Sequence, residues 1–240
     1  MTSLKILTLV LLLVSANSCA SFAQSTTKQP IQRPTSIAQN SNNNQLSGYC
    51  FSLENENISS VARIYIEKGN KVTGNVNGAI HNEEEGYYTS YFQTINGTRK
   101  GNNLKLNITT KIELDIQKTQ ENWRLEGDSL NTGREVYQSV PCRVSQVRFS
   151  RGADSTTLEN SVVRGSRDVY LLEARGGQKM DVNISSLEKN AVFEVIAPNG
   201  EIINSETTRT SLTLPATGRY EIIVGGTRGN ASYKLNVKIR

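Results

Sequence analysis

Leu104-Lys105-Leu106-Asn107-Ile108, followed closely by Ile112-Glu113-Leu114-Asp115-Ile116, decides the fold class. Apolar and polar residues alternate with period two, so an extended chain has one apolar face and one wet face, the signature of a half-buried strand. Upstream, Ala62, Ile64 and Ile66 alternate in the same way with Val61, Arg63 and Tyr65. Gly69-Asn70, Asn96-Gly97, Gly101-Asn102, Gly127-Asp128 and Thr132-Gly133 punctuate these runs as turn signals. Many short strands joined by Gly and Asn turns predict an all-β sandwich or barrel. Beyond the first two dozen residues no stretch carries a helical apolar stripe of useful length.

The N-terminus has a different composition. Lys5 precedes an apolar run from Ile6 to Leu13 broken by Thr8, and small or polar residues follow up to Ala23, which is the layout of a secretory signal peptide over residues 1–23. The run is shorter than the roughly 20 residues a membrane-spanning helix needs. Ser21-Phe22-Ala23 offers small residues to ordinary signal peptidase, whereas Ala16-Asn17-Ser18-Cys19 resembles a loose lipobox that would make Cys19 the lipidated first residue. Either cut removes Cys19 from disulfide pairing. Residues 24–45 are rich in Gln, Ser, Thr and Asn and too poor in apolar surface to offset their ordering entropy, which predicts a disordered linker. Export takes the chain to a periplasmic or extracellular compartment where disulfides persist, so Cys50 and Cys142 are expected to bond. Such a bond closes the ends of a first β domain, 46–143, and leaves a cysteine-free second domain, 144–240, with Asn199-Gly200 as its strongest hairpin signal.

The residues needed for common catalytic chemistry are scarce. A zinc site or a Ser/His/Asp triad requires histidines or thiolates, and the chain has one histidine, His81, with its mature cysteines already committed. Glu83, Glu84 and Glu85 adjoin it in what reads as a polar hairpin tip; adjacent glutamates lack the spaced oxygens of a calcium site and show no acid/base pair geometry. No catalytic residue, metal or cofactor is therefore assigned, and a binding protein is expected rather than an enzyme. Tyr87 and Tyr91 share one face of a strand and Tyr88 and Phe92 the other, so one pair is expected in the core and the other half exposed; Trp123 is expected in the core. The net charge of +5 is spread along the sequence with no basic block, which argues against a nucleic-acid partner and leaves a lipid anchor as the route to a membrane.

The second domain carries a family likeness. Val147-Arg148-Phe149-Ser150-Arg151-Gly152-Ala153-Asp154-Ser155 is followed by Arg164-Gly165, Asp168-Val169-Tyr170 and Gly176-Gly177-Gln178-Lys179-Met180-Asp181-Val182. Then come Pro198-Asn199-Gly200, Leu214-Pro215-Ala216-Thr217-Gly218-Arg219-Tyr220-Glu221 and the terminal Tyr233-Lys234-Leu235-Asn236-Val237-Lys238-Ile239. In order and spacing this string resembles the bacterial periplasmic inhibitors of goose-type (g-type) lysozyme and, more broadly, the pre-peptidase C-terminal domains. The resemblance implies a jelly-roll-like β-sandwich over about the last 95 residues, so the whole becomes two small antiparallel β domains after the leader and linker.

Residues of the string also have a physical role of their own. Met180, Val182 and Ile184 alternate on one face, and Tyr220, Ile222 and Val224 are expected to pair across a turn with Leu235, Val237 and Ile239. In the inhibitors, the resemblance implies that loops at one end of the sandwich enter the lysozyme cleft. Arg228, in Thr227-Arg228-Gly229-Asn230, matches the arginine of the loop before the last strand, where it would meet a catalytic carboxylate, with Thr227, Asn230 and Ser166 beside it. The last loop is shorter here than in the inhibitors, and Ser166 stands where an aromatic would strengthen the contact. The implied partner is a g-type lysozyme; the alternative is a non-catalytic peptidoglycan- or carbohydrate-binding or structural envelope module.

Overall fold

The alternation around Leu106 builds a closed barrel. The computed structural model describes residues 46–82 and 86–240, which belong to one compact unit. Signal peptide, linker, Cys19 and Glu83 to Glu85 lie outside the described residues. The chain runs through β1 (Ser47–Glu54), β2 (Ile58–Ile66), β3 (Lys71–Asn82), β4 (Tyr87–Lys100), β5 (Asn103–Ile112), β6 (Asp115–Glu126), β7 (Ser129–Asn131) and β8 (Val136–Ser139). Each strand pairs antiparallel with the next, and β8 returns to β1 through Phe51 opposite Ser139 to close the ring. Closure leaves no free sheet edge. Leu104, Leu106 and Ile108 point inward and meet Ala62, Ile64, Val76, Ile95 and Trp123, each no more than 3% exposed.

Nine further strands form a two-layer sandwich: β9 (Cys142–Gln146), β10 (Ser155–Val162), β11 (Arg167–Ala174), β12 (Lys179–Ser186), β13 (Ala191–Ile196), β14 (Ile202–Thr207), β15 (Arg209–Thr213), β16 (Gly218–Gly226) and β17 (Ala231–Ile239). One layer is ordered β10-β17-β12-β15 and the other β14-β13-β16-β11-β9. Among the described residues the only helical segment is a 3-10 turn at Lys68–Asn70. Met180, Val182 and Ile184 fill the sandwich core with Phe193, Tyr220, Leu235 and Val237. Tyr220 also fixes a corner, its hydroxyl donating to the Ala216 carbonyl at 2.6 Å.

Four local expectations change. β16 and β17 do not pair: β16 lies between β13 and β11, β17 between β10 and β12, and their apolar faces meet across the core instead. Alternation fixes which face is buried but not which strand lies alongside. Asn96-Gly97 is no turn; Gly97 lies within β4, opposite Val72 and Leu106. Leu114 and Ile116 are 99% and 61% exposed, because the two-residue turn Glu113-Leu114 breaks the strand and Ile116 pairs with Lys111 on the outer side. On β4 the burial contrast runs along the strand rather than across it: Tyr87 and Tyr88 are exposed near the hairpin end, while Tyr91 packs on the barrel core and Phe92 on the sandwich.

The face of β2 that reads as wet is covered by the sandwich. Tyr65 is fully buried and Arg63 7% exposed, against Val169, Leu171, Ile196 and Ile223 on the outer face of the five-stranded sheet. Arg63 crosses the seam to Glu194 at 3.6 Å and Glu221 at 4.0 Å, while its Nη1 donates to Asn75 and Asn77. Asn75 also donates to Glu221. In the reverse direction Arg219 of the sandwich reaches Glu67 at 2.7 Å and Thr73 at 2.7 Å of the barrel, and Glu173 at 2.8 Å beside itself. A buried charge is tolerated where it is paired and hydrogen-bonded, which Arg63 and Arg219 achieve, whereas Glu221 keeps one buried oxygen, Oε2, without a hydrogen-bond partner.

The disulfide forms between Cys50 and Cys142. Cys50 lies on β1, but Cys142 opens β9, which runs parallel to β11 with Cys142 opposite Arg167. The bond therefore fastens the barrel's first strand to the sandwich, and the Val140 amide donates to the Cys50 carbonyl at 2.9 Å beside it.

Candidate functional site

The residues singled out in the sequence gather at one end of the sandwich. Residues 163–166 join β10 to β11, and residues 227–230 carry the chain from β16 in one layer to β17 in the other. The second crossing is tight: Gly229 has φ +69°, a left-handed conformation that side chains resist, and a Cβ at Gly226 would lie 2.8 Å from the Gly229 carbonyl oxygen. The two loops are tied directly, since Asn230 Oδ1 accepts the Arg164 amide at 3.0 Å.

A third loop, residues 187–190, holds them from beneath through Asn190, which is 1% exposed. Its Nδ2 donates to the carbonyls of Arg228 and Asn230 at 3.1 and 2.9 Å, and its own carbonyl accepts the Thr227 amide at 2.8 Å. Thr227 Oγ1 also donates to that carbonyl at 3.3 Å. Ser166 closes its own turn, with its hydroxyl donating to the Val163 carbonyl at 2.9 Å. Thr227, Asn230 and Ser166 thus commit polar groups to loop shape. Arg228 is exposed, and among the described residues its guanidinium has no partner. One ordered loop therefore presents one unpaired cation.

Sequence reasoning missed Asn190, whose setting Lys189-Asn190-Ala191 carries no motif, and it also missed the support behind the loops. Asp168, 4% exposed, accepts from Tyr233 and from Arg143 at 2.5 Å, and Tyr233 and Tyr170 share a hydrogen bond of 2.6 Å. Burial, then the hydrogen bond to Asp168, pushes the Tyr233 hydroxyl far above its ordinary pKa, so it remains a donor. For Arg143 burial works against the charge, but the bond to Asp168 outweighs it and the net direction is upward. Arg167 lies over Gly225, where a Cβ would come within about 3.0 Å of its guanidinium.

Elsewhere His81 is a half-buried β3 residue opposite Tyr88, not a turn residue. Among the described residues no group of acids, histidines or cysteines has metal-binding geometry. A cleft of about 260 Å³ between barrel and sandwich is lined by Lys71, Thr94, Asn96, Glu173, Pro198 and Arg219. Its buried polar groups, on Tyr65, Asn75 and Glu221, belong to the seam.

The fold and loop end define an all-β chain in which a closed barrel precedes a sandwich whose 227–230 loop presents an exposed arginine. Comparison with solved structures returns partial likenesses. The chain is similar to Aeromonas hydrophila PliG, a periplasmic inhibitor of g-type lysozyme, at 29% identity over 42% of this chain and 98% of that one, with a TM-score of 0.39. Salmonella Typhimurium PliG, likewise a periplasmic inhibitor of g-type lysozyme, is similar at 26% identity over 41% and 98%, TM-score 0.36. The pre-peptidase C-terminal domain of a Bacillus anthracis collagenase is similar at 16% identity over 40% and 94%, TM-score 0.32. No protein-family model matches the chain, and no curated protein matches it in sequence. No helix among the described residues is long and apolar enough to cross a membrane.

Proposed function

We propose that this is an exported, non-catalytic binding protein that inhibits a g-type lysozyme by seating the 227–230 loop in the enzyme's cleft. The observation that carries the proposal is the loop itself: Asn190, Asn230 and Gly229 fix its backbone in the free protein while the Arg228 guanidinium stays unpaired. A preorganised loop loses little entropy on binding, and a guanidinium is suited to bidentate capture of a carboxylate in a desolvated cleft. The ordered string from Val147 to Ile239 supports the choice of target, since it resembles these inhibitors in sequence. The barrel, attached by the disulfide and the charged seam, lies outside that likeness and extends the protein beyond the inhibitor unit.

The test is a lysis assay in which a peptidoglycan suspension is cleared by g-type lysozyme with and without the purified chain. Clearing slows in proportion to added chain, and Arg228→Ala raises the inhibition constant about tenfold to a hundredfold, the value of one hydrogen-bonded charge. Unchanged clearing at large molar excess overturns the inhibitor assignment; inhibition that survives Arg228→Ala overturns the loop assignment.

A further inference from the structure

The barrel carries a second surface, independent of the loop end. The inward residues of β4, β5 and β6 include Ile95, Leu104, Leu106, Ile108 and Trp123, so the intervening residues face out. Those outward positions bring together Lys100, Lys105, Lys111, Lys118 and Arg124, which are separated in sequence and form no basic block there. Register makes them neighbours: Lys100 and Arg124 both lie opposite Asn103, Lys105 is two residues along β5, Lys118 is opposite Thr109, and Lys111 is the last but one residue of the strand. At roughly 3.4 Å per residue the strip from Asn103 to Lys111 is about 27 Å long.

Two features set it apart from an ordinary solvated face. The first is charge balance. On the sandwich, three exposed cations of β17 and the residue after it have acids beside them: Lys234 with Glu159 at 2.8 Å, Lys238 with Asp154 at 3.1 Å, Arg240 with Asp181 at 3.0 Å. On the barrel strip Arg124 has Glu126 at 3.4 Å, and the lysines have no acidic partner among the described residues. The second is a row of side chains across the strands, Asn96, Asn107 and Gln120, each directly opposite the next. These amide groups lie between the cations, and all three are exposed. They offer paired donors and acceptors at fixed spacing.

We infer that the outer face of β4, β5 and β6 binds a linear anionic polysaccharide, its acidic groups lying along the lysines and its hydroxyl groups along the amide row. Charge complementarity selects the sign of the ligand, and the row selects a polyhydroxylated chain. A single-stranded nucleic acid would call for a series of stacking aromatics, whereas only Tyr88 is an exposed aromatic on the outward side of β4. A lipid surface would call for apolar side chains at the centre of the face, where the amides stand.

Polygalacturonate is the probe, titrated against the purified chain by calorimetry at low and at moderate salt, with neutral dextran, duplex DNA and phosphatidylglycerol vesicles in parallel. Polygalacturonate binds and dextran does not; affinity falls with salt; and Lys105→Gln/Lys111→Gln/Lys118→Gln weakens binding at least roughly tenfold, as counterion release requires when contacts are removed. Lys68→Gln/Arg175→Gln/Lys179→Gln removes the same charge from other exposed positions and leaves binding within about twofold of the parent, a difference attributable to net charge alone. Thermal melts verify that both triple variants fold. Equal weakening by the two variants, or the absence of polygalacturonate binding, overturns the site. Equally tight lysine-dependent binding of DNA or vesicles overturns the assignment to a polysaccharide. None of these outcomes bears on lysozyme inhibition.

Discussion

Replacing both bonded cysteines, Cys50→Ala with Cys142→Ala, removes the covalent link between barrel and sandwich. The two positions are 92 residues apart. In the chain-entropy description a loop of that length adds about 4.6 kcal/mol to stability by restricting the unfolded ensemble. With a urea slope of about 2 kcal/mol/M, the unfolding midpoint falls by about 2 M. The loss is uneven, because the loop closed by the bond is the barrel itself, so the barrel becomes the weaker part. Trp123 is the only tryptophan in the chain and is buried in the barrel core, so its fluorescence follows the barrel, whereas far-UV circular dichroism follows both sheet systems. In the parent the two signals change together; in the double variant fluorescence changes at lower urea than dichroism. A midpoint shift below about 0.5 M with unchanged slope, roughly 1 kcal/mol, refutes the loop-entropy account. Coincident transitions in the variant refute the separation of the two parts.

Three further outcomes follow from the contacts. Asn190→Ala removes donors to the Arg228 and Asn230 carbonyls and costs about 1–3 kcal/mol in denaturant unfolding, while raising the lysozyme inhibition constant more than it would be raised by a stability-matched core variant such as Ile108→Val. Arg63→Ala leaves Glu221 and Glu194 across the seam without their barrel cation and costs about 3–5 kcal/mol; a loss under about 1 kcal/mol shows that the seam is held by its apolar contacts alone. Burial raises the Glu221 pKa above its ordinary value despite the nearby Arg63, so the folded state holds that proton to higher pH than the unfolded chain and this contribution is full below the ordinary carboxyl range and lost as pH rises through the folded pKa. Glu221→Gln cannot titrate, so the stability difference between parent and variant changes across that interval when measured by urea midpoints from pH 4 to pH 8; a constant difference shows that Glu221 is not the titrating group.

Strand alternation made the two cores legible. Leu104, Leu106 and Ile108 in the barrel, and Met180, Val182 and Ile184 in the sandwich, have polar neighbours that face solvent, so period two identifies their buried side. It failed at Arg63 and Tyr65, because a strand whose second face carries charged and hydroxyl groups has the same pattern whether a neighbouring sheet or water covers it. A counter-signal lay in Val169, Leu171 and Ile223, apolar on the side opposite Tyr170, Leu172 and Ile222, which a strand buried on both faces requires. The resemblance drew attention to the loop around Arg228, whereas Asn190 acts through backbone carbonyls of distant residues and leaves no local motif. The lysine strip was illegible for a related reason: strand pairing, not sequence proximity, brings Lys100, Lys118 and Arg124 to the same face.

Tension applied between Leu46 and Arg240 would follow a short path. It enters at the start of β1, crosses from Cys50 to Cys142 through the sulfur atoms, and continues along β9 into the sandwich. The residues between the cysteines, nearly the whole barrel, form a side loop that bears no load while the bond is intact. Pulling would then open the sandwich first, with the 92-residue separation between the cysteines withheld from the extension; after reduction that length is released as well.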